Sequence, residues 1–297
     1  MTQPTIPQIL RELGFENVAP PPSEERLRRV FISSEGDHST GKTRFIGTAP
    51  GPVIAVLDFD RGLEGVLDLD PVAAGDKVIF KKVFPAPDFD EEGSKSMSAG
   101  ERKLAVDTYG KFKDTVEKIL KAKLPNGRRA VDTLAIDNCG DPYVLAQMAR
   151  FGKYAKVGEV PAEAWTSMQM EFEALFRMAY DNNTNLIVTH RQGGKYRGML
   201  GEKELKGYKR MSYVSQVHLA HEKFIVTDPV SGVKEMQLQL RVIKSRQRLA
   251  IEDPGHPQNI LRAIWLDDEK TQSCGADFID VVTAVLPNTT ERDWFGG

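Results

Sequence analysis

Val30-Phe31-Ile32-Ser33-Ser34-Glu35-Gly36-Asp37-His38-Ser39-Thr40-Gly41-Lys42-Thr43 decides how the rest of this 297-residue chain is read. Its second half satisfies G-x-x-x-x-G-K-[ST], and Val30-Phe31-Ile32-Ser33 before it is a short apolar run of the kind that forms a buried strand. A Gly-rich turn between a strand and a helix start presents backbone N–H groups that have no intrahelical partners. Together with the helix dipole they make a concave anion site. The spacing therefore predicts phosphate contacts along Gly36, Asp37, His38, Ser39, Thr40 and Gly41. Lys42 is placed to reach the β and γ phosphates of ATP, and the Thr43 hydroxyl to ligand Mg²⁺.

Outward from this loop the composition narrows the class. A net charge of −2 excludes a globally basic nucleic-acid binder and leaves only a local basic patch for that role. Cys139 and Cys274 have no C-x-x-C spacing, so neither a disulfide framework nor a cysteine zinc site is expected. No run has the length of a membrane span and the first residues lack a basic-then-apolar signal pattern, which predicts a cytoplasmic protein without a membrane partner. Residues 1–26, a short amphipathic stretch (Ile9, Leu10, Leu13) followed by Pro20-Pro21-Pro22, read as an N-terminal arm that packs on the core or on a neighbouring subunit. Residues 27–250 read as the core, and 251–297 as a C-terminal extension whose folding the sequence leaves open.

Within the core, apolar strands alternate with amphipathic helices. Val53 to Leu57, Lys77 to Val83, Val131 to Ile136 and Asn185 to His190 are strand candidates. Ser98 and Glu101 have capping-box spacing and open a helix whose apolar residues run from Ala105 to Leu120. A second helix carries Met168, Phe172, Leu175, Phe176 and Ala179 on one stripe. The alternation predicts a mostly parallel α/β sheet with helices on both faces, with ligands at the carboxyl ends of its strands. Asp60, Asp137 and His190 end three such strands and are expected to converge on the loop. After them, Arg191 to Arg210 is rich in basic residues and glycine and reads as a long basic loop, holding Arg191, Lys195, Arg197, Lys203, Lys206, Lys209 and Arg210. Tyr213 to Ala220, Phe224 to Thr227 and Met236 to Ile243 then alternate like antiparallel strands.

Phosphoryl transfer needs positioning and charge more than covalent help from the protein. Asp137, closing V-D-T-L-A-I-D, suits a Mg²⁺-holding acid or, more plainly, a helix cap. Asp60, or else Asp58, is the candidate for orienting the attacking water. His190 is the candidate for sensing the γ phosphate. Lys244 and Arg246, two apart on a strand, share a face and suit cations that reach the ATP of a neighbouring subunit. Tyr196 or Tyr208 is available to stack on bases.

The order phosphate loop, V-L-D-F-D, L-A-I-D, N-L-I-V-T-H, basic loop, Y-V-S-Q-V-H-L and L-R-V-I-K-S-R resembles the ATPase core of the RecA and RadA recombinase class. It is most similar to small phage-encoded, core-only relatives of the AAA-type nucleotide-binding kind, some of them single-strand annealing proteins. The resemblance spans about residues 27–250. It implies a RecA-like P-loop NTPase fold with an antiparallel C-terminal extension, and a DNA-stimulated ATPase acting on single-stranded DNA in recombination, annealing or repair, in the host cytoplasm if phage-encoded. It implies phosphate and Mg²⁺ binding by Lys42 and Thr43, Asp137 as the Walker B acid, Asp60 in place of a catalytic Glu, and His190 in place of a sensing Gln. Lys244 and Arg246 fall where the class has cations acting across a subunit interface, and Arg191 to Arg210 matches its second DNA-binding loop. Self-assembly into a head-to-tail filament or ring, and a single-strand binding protein or exonuclease as partner, belong to the same expectation. A helicase or loader motor, and a nucleotide-controlled scaffold with weak hydrolysis, are the alternatives.

Overall fold

The computed structural model describes residues 6–14, 16–17, 29–63, 77–86, 97–155, 158–194, 203–205, 208, 210–227, 232, 234–246, 260–266 and 277–285. Its strands are β1 (Glu16–Asn17), β2 (Phe31–Gly36), β3 (Val53–Asp58), β4 (Val78–Val83), β5 (Thr133–Asp137), β6 (Asn185–Gly194), β7 (Lys203–Leu205), β8 (Val217–Thr227), β9 (Lys234–Ser245) and β10 (Ile260–Leu266). One sheet runs in the order β1-β4-β3-β5-β6-β2-β8-β9-β10, with β7 paired to β6 beside it. From β4 to β8 every pairing is parallel, while β9 and β10 add antiparallel strands. The mostly parallel sheet with an antiparallel extension is the arrangement expected from the strand and helix alternation.

Both faces are covered, and the strand residues divide between them by parity. Phe31, Val53, Ala55, Leu57, Leu134, Ile136, Leu186 and Val188 join one core with the helices α3 (Ala99–Lys121), α4 (Gly140–Phe151) and α5 (Ala162–Asp181). Ile32, Ile54, Val56, Ala135 and Ile187 join the other, with Phe45 and Ile46 of α2 (Lys42–Gly47). Continuous apolar runs such as Val53 to Leu57 are thus strands buried on both sides. At the start of α3 the Ser98 hydroxyl accepts from Glu101 N and the Glu101 carboxylate accepts from Ser98 N, so the predicted capping box is present.

The two ends of the chain join this body. In α1 (Ile6–Glu12), Leu10 is fully buried in the first core, and β1 pairs antiparallel with β4 at the sheet edge. The described part of the arm therefore packs on its own core. Near the other end, α7 (Phe278–Val285) buries Phe278, Val281, Val282 and Val285 against the α2 side. Phe278 N donates to the Thr48 hydroxyl at 2.9 Å, and the Phe278 and Phe45 rings stack at 6.4 Å.

Two expectations are corrected. Tyr213 lies in a short helix, α6 (Met211–Val214), and residues 217–227 form one strand that runs parallel to β2 before turning antiparallel into β9. The basic loop is also shorter than predicted: β6 continues through Arg191 to Gly194 and pairs with β7, so Arg191 and Lys203 are strand residues. Among the described residues no helix is long and apolar enough to cross a membrane.

Candidate active site

Parallel pairing sets the site. Asp58 is in register with Asp137, and Gly36 with Arg191, so the ends of β3, β5, β2 and β6 open at one edge. A cavity of about 310 Å³ lies there, lined by the loop residues His38 to Thr43 together with Arg44, Asp60, Gly62, Asp137 and Arg191.

Close packing shapes the loop. A Cβ on Gly36 would come within 2.7 Å of both the His221 carbonyl and the Thr40 hydroxyl, so only glycine fits there. Gly41 has φ +89°, the left-handed conformation that lets the chain turn into α2. The Thr40 hydroxyl donates to the Asp37 carbonyl at 2.9 Å. From β8, the buried His221 places Nδ1 3.2 Å from the Thr40 carbonyl. Burial holds its pKa down to about 3, so at neutral pH the imidazole is uncharged and Nδ1–H donates. The Lys42 ammonium curls back onto the carbonyls of Gly36 (2.8 Å) and Asp37 (2.5 Å). Burial lowers its pKa, opposed by the charges of Asp137, Asp60 and Asp37.

The Thr43 hydroxyl donates to Asp137 Oδ2 at 2.8 Å, and the Thr189 hydroxyl donates to Asp137 Oδ1. Burial raises the Asp137 pKa, countered by these two hydroxyls. A hydroxyl and a carboxylate side by side form a hard oxygen donor set that suits Mg²⁺. Gly62 leaves room beside them: a Cβ there would stand 3.1 Å from Thr43 Oγ1 and 3.4 Å from Asp137 Oδ2. The residues present therefore fit the ion, which when bound would neutralise phosphate charge and polarise the phosphoryl group.

The two candidate carboxylates at the end of β3 separate cleanly. Asp58 is buried and accepts from the backbone of Arg61, Gly62 and Leu63 and from Asp60 N, so it shapes the turn. Asp60 faces the cavity. Its carboxylate accepts from Asn138 Nδ2 at 2.8 Å and from Arg191, with Nε 3.2 Å from Oδ2 and a terminal nitrogen on Oδ1. Asn138 also bonds Asp141 Oδ2 and takes the N–H groups of Gly140 and Asp141 at the start of α4. Asn138 is a site residue that no motif marks; its signal in the sequence is a polar residue after a strand-end Asp with helix-cap spacing to Asp141.

His190, the candidate for sensing the γ phosphate, does not line the cavity. His190 is fully buried beside Glu35, and burial holds its pKa near 3. Strand parity sends His190 and Gln192 to one side, where Gln192 donates to Glu35 at 2.9 Å, and Thr189 and Arg191 to the cavity side. Arg191 is therefore a cavity residue and not part of a basic loop. Tyr208 is corrected as a base-stacking candidate: it is fully buried between Tyr143 and Phe172, its hydroxyl on Glu173. Arg210 leads into α6 and lies 3.5 Å from the same Glu173 carboxylate. Lys195, Tyr196, Arg197, Lys206 and Lys209 lie outside the described residues.

Lys244 and Arg246 stand elsewhere. Arg246 N donates to the Gln216 carbonyl, and Gln216 N to the Phe31 carbonyl, so Arg246 sits at the amino end of β2, while Lys244 pairs with His218 and through it is level with Ser33. Five residue steps along β2, roughly 17 Å, separate that end from the loop, beyond the reach of the Arg246 side chain. The Arg246 guanidinium donates to the Tyr213 carbonyl, and Lys244 Nζ lies 5.7 Å from the Tyr213 ring centroid.

Asp141 carries a testable pH dependence. Burial first, then the charges of Asp60 and Asp137, raise its pKa from 3.8 to about 6, against the pull of Arg191 and Asn138. Between about pH 4 and 6 the folded chain holds a proton that the unfolded chain has released, so this group's contribution to stability falls as pH rises through that window. Asp141→Asn keeps an acceptor for Asn138 and removes the buried charge. It is expected to gain about 1 to 2 kcal/mol at pH 8 and nothing at pH 4, read as a melting temperature raised only at the higher pH.

No protein-family model and no curated protein matches the chain. Among solved structures it is similar to one described as "Crystal structure of the RadB recombinase", with 15% identity over 75% of this chain and 84% of that one, at a TM-score of 0.38.

Proposed function

We propose that the chain is a Mg²⁺-dependent P-loop ATPase of the RecA-like class that acts on single-stranded DNA and assembles head to tail. The observation that carries the reading is the Thr43–Asp137 hydrogen bond beside the glycine-shaped loop. It joins a metal-suited donor pair to a phosphate cradle in one cavity. In this reading the loop and Lys42 hold the triphosphate, Thr43 and Asp137 hold the ion, and Asp60 orients water. Arg246 lies too far from its own loop to serve it, and in this reading Lys244 and Arg246 act on the nucleotide of the next subunit.

The basic segment that follows Gly194 is the proposed track for DNA phosphates. Neutralising Lys195, Arg197, Lys206 and Lys209 together is expected to weaken single-stranded DNA binding. It should also flatten the dependence of log affinity on log salt by about three, near 0.7 for each phosphate that a cation no longer neutralises. Fluorescence anisotropy across a salt series measures both, and an unchanged slope would remove the segment from the DNA site. The decisive assay for the whole reading is phosphate release with and without single-stranded DNA, run beside sedimentation to follow assembly. The scaffold alternative draws support from Asp60, whose carboxylate is already engaged by Arg191 and Asn138. Weak turnover that DNA leaves unchanged, with assembly still controlled by nucleotide, would favour it.

A further inference from the structure

The Arg191–Asp60 pair sits inside the cavity that Lys42 and Thr43 line. A carboxylate gripped at both oxygens by one guanidinium has its charge offset and its lone pairs committed. In that condition Asp60 is poorly placed to order a water. A bound triphosphate changes the competition. In the nucleotide reading the loop N–H groups take the inner phosphates and Lys42 spans the β and γ phosphates, so the outermost phosphate enters the cavity that Asp60 and Arg191 also line, bringing more negative charge than a single carboxylate.

We propose that Arg191 is a latch that the terminal phosphate of ATP takes over from Asp60. The inference rests on the nucleotide reading above and adds the regulation of that site. Transfer of the guanidinium to phosphate changes the state of Asp60. It frees the Asp60 carboxylate toward the cavity, with Asn138 still holding one oxygen. ADP, which lacks the outermost phosphate, leaves the latch on Asp60.

Binding of ADP and of a non-hydrolysable ATP analogue, measured by calorimetry on the full chain, tests this. Thermal melts establish that each variant is folded. Arg191→Gln is expected to weaken the analogue by about tenfold or more while leaving ADP within about twofold. Asp60→Asn, which releases the guanidinium, should tighten the analogue. The double variant Asp60→Asn/Arg191→Gln separates the latch from a plain ion pair: it should remain about tenfold weaker than the parent. If the double variant recovers parental affinity, Arg191 only neutralises Asp60 and the latch is wrong. Equal weakening of ADP and the analogue by Arg191→Gln would also overturn it, because the terminal phosphate would then not be what Arg191 reads. A parent protein that binds neither nucleotide refutes the nucleotide reading itself and the latch with it.

Discussion

Alanine at position 42 is expected to cut ATP turnover by about a hundredfold or more and leave the fold intact. The Lys42 ammonium now bonds the carbonyls of Gly36 and Asp37, so it occupies the concavity of the loop rather than the core of the sheet. Bound phosphates would replace those carbonyls as its acceptors. Without the ammonium, the cation that sits within the loop's own concavity is lost from the developing charge on the transferred phosphoryl group, and nucleotide affinity falls with turnover. Steady-state phosphate release measures the loss, and a melting curve like the parent's shows that chemistry rather than folding was removed. Parental turnover in Lys42→Ala would mean that hydrolysis occurs at some other place.

Arg246→Ala should have an effect of similar size for a different reason. Arg246 lies at the amino end of β2, with its guanidinium on the Tyr213 carbonyl, while the loop leaves the carboxyl end of the same strand. A single subunit cannot bring the two together, so the loss must be relieved by mixing. Arg246→Ala keeps a sound loop and Lys42→Ala keeps a sound arginine; each alone should be nearly inactive. Combined, they form junctions in which an intact loop meets an intact arginine, and activity should return to a substantial fraction of the parent's. If Arg246→Ala turns over normally, or if mixing restores nothing, the junction does not contain this arginine.

Much of the architecture was readable because it depends on local chemistry. The phosphate loop needs glycine where Gly36 meets His221, the strands are continuous apolar runs because both faces are buried, and Ser98 with Glu101 announces a helix start in its own letters. The strand-end carboxylates Asp60 and Asp137 were legible because parallel pairing gathers strand ends. What was missed depends on facing and distance. Along β6 a one-residue step reverses the face, so Arg191 lines the cavity and His190 is buried on the other side, although the strand itself was recognised. The two-residue spacing from Thr189 to Arg191 held the answer. Tyr208 was hidden by its glycine-rich, basic neighbours, since only the fold reveals that Tyr143 and Phe172 wait for it. Likewise β8 alternates like an antiparallel strand yet pairs parallel to β2 on one side, which no local pattern distinguishes.

One strand, β2, connects the loop to the region of Gln216 and Arg246, and it is laddered on both sides by β6 and β8. The offset between the two half-sites is therefore set by a rigid rod of peptide units and not by a linker that can stretch. In a head-to-tail assembly, the axial repeat would be inherited from this rod. An inserted residue would lengthen the rod by roughly 3.3 Å and turn its far end to the opposite face, so spacing and orientation are specified together.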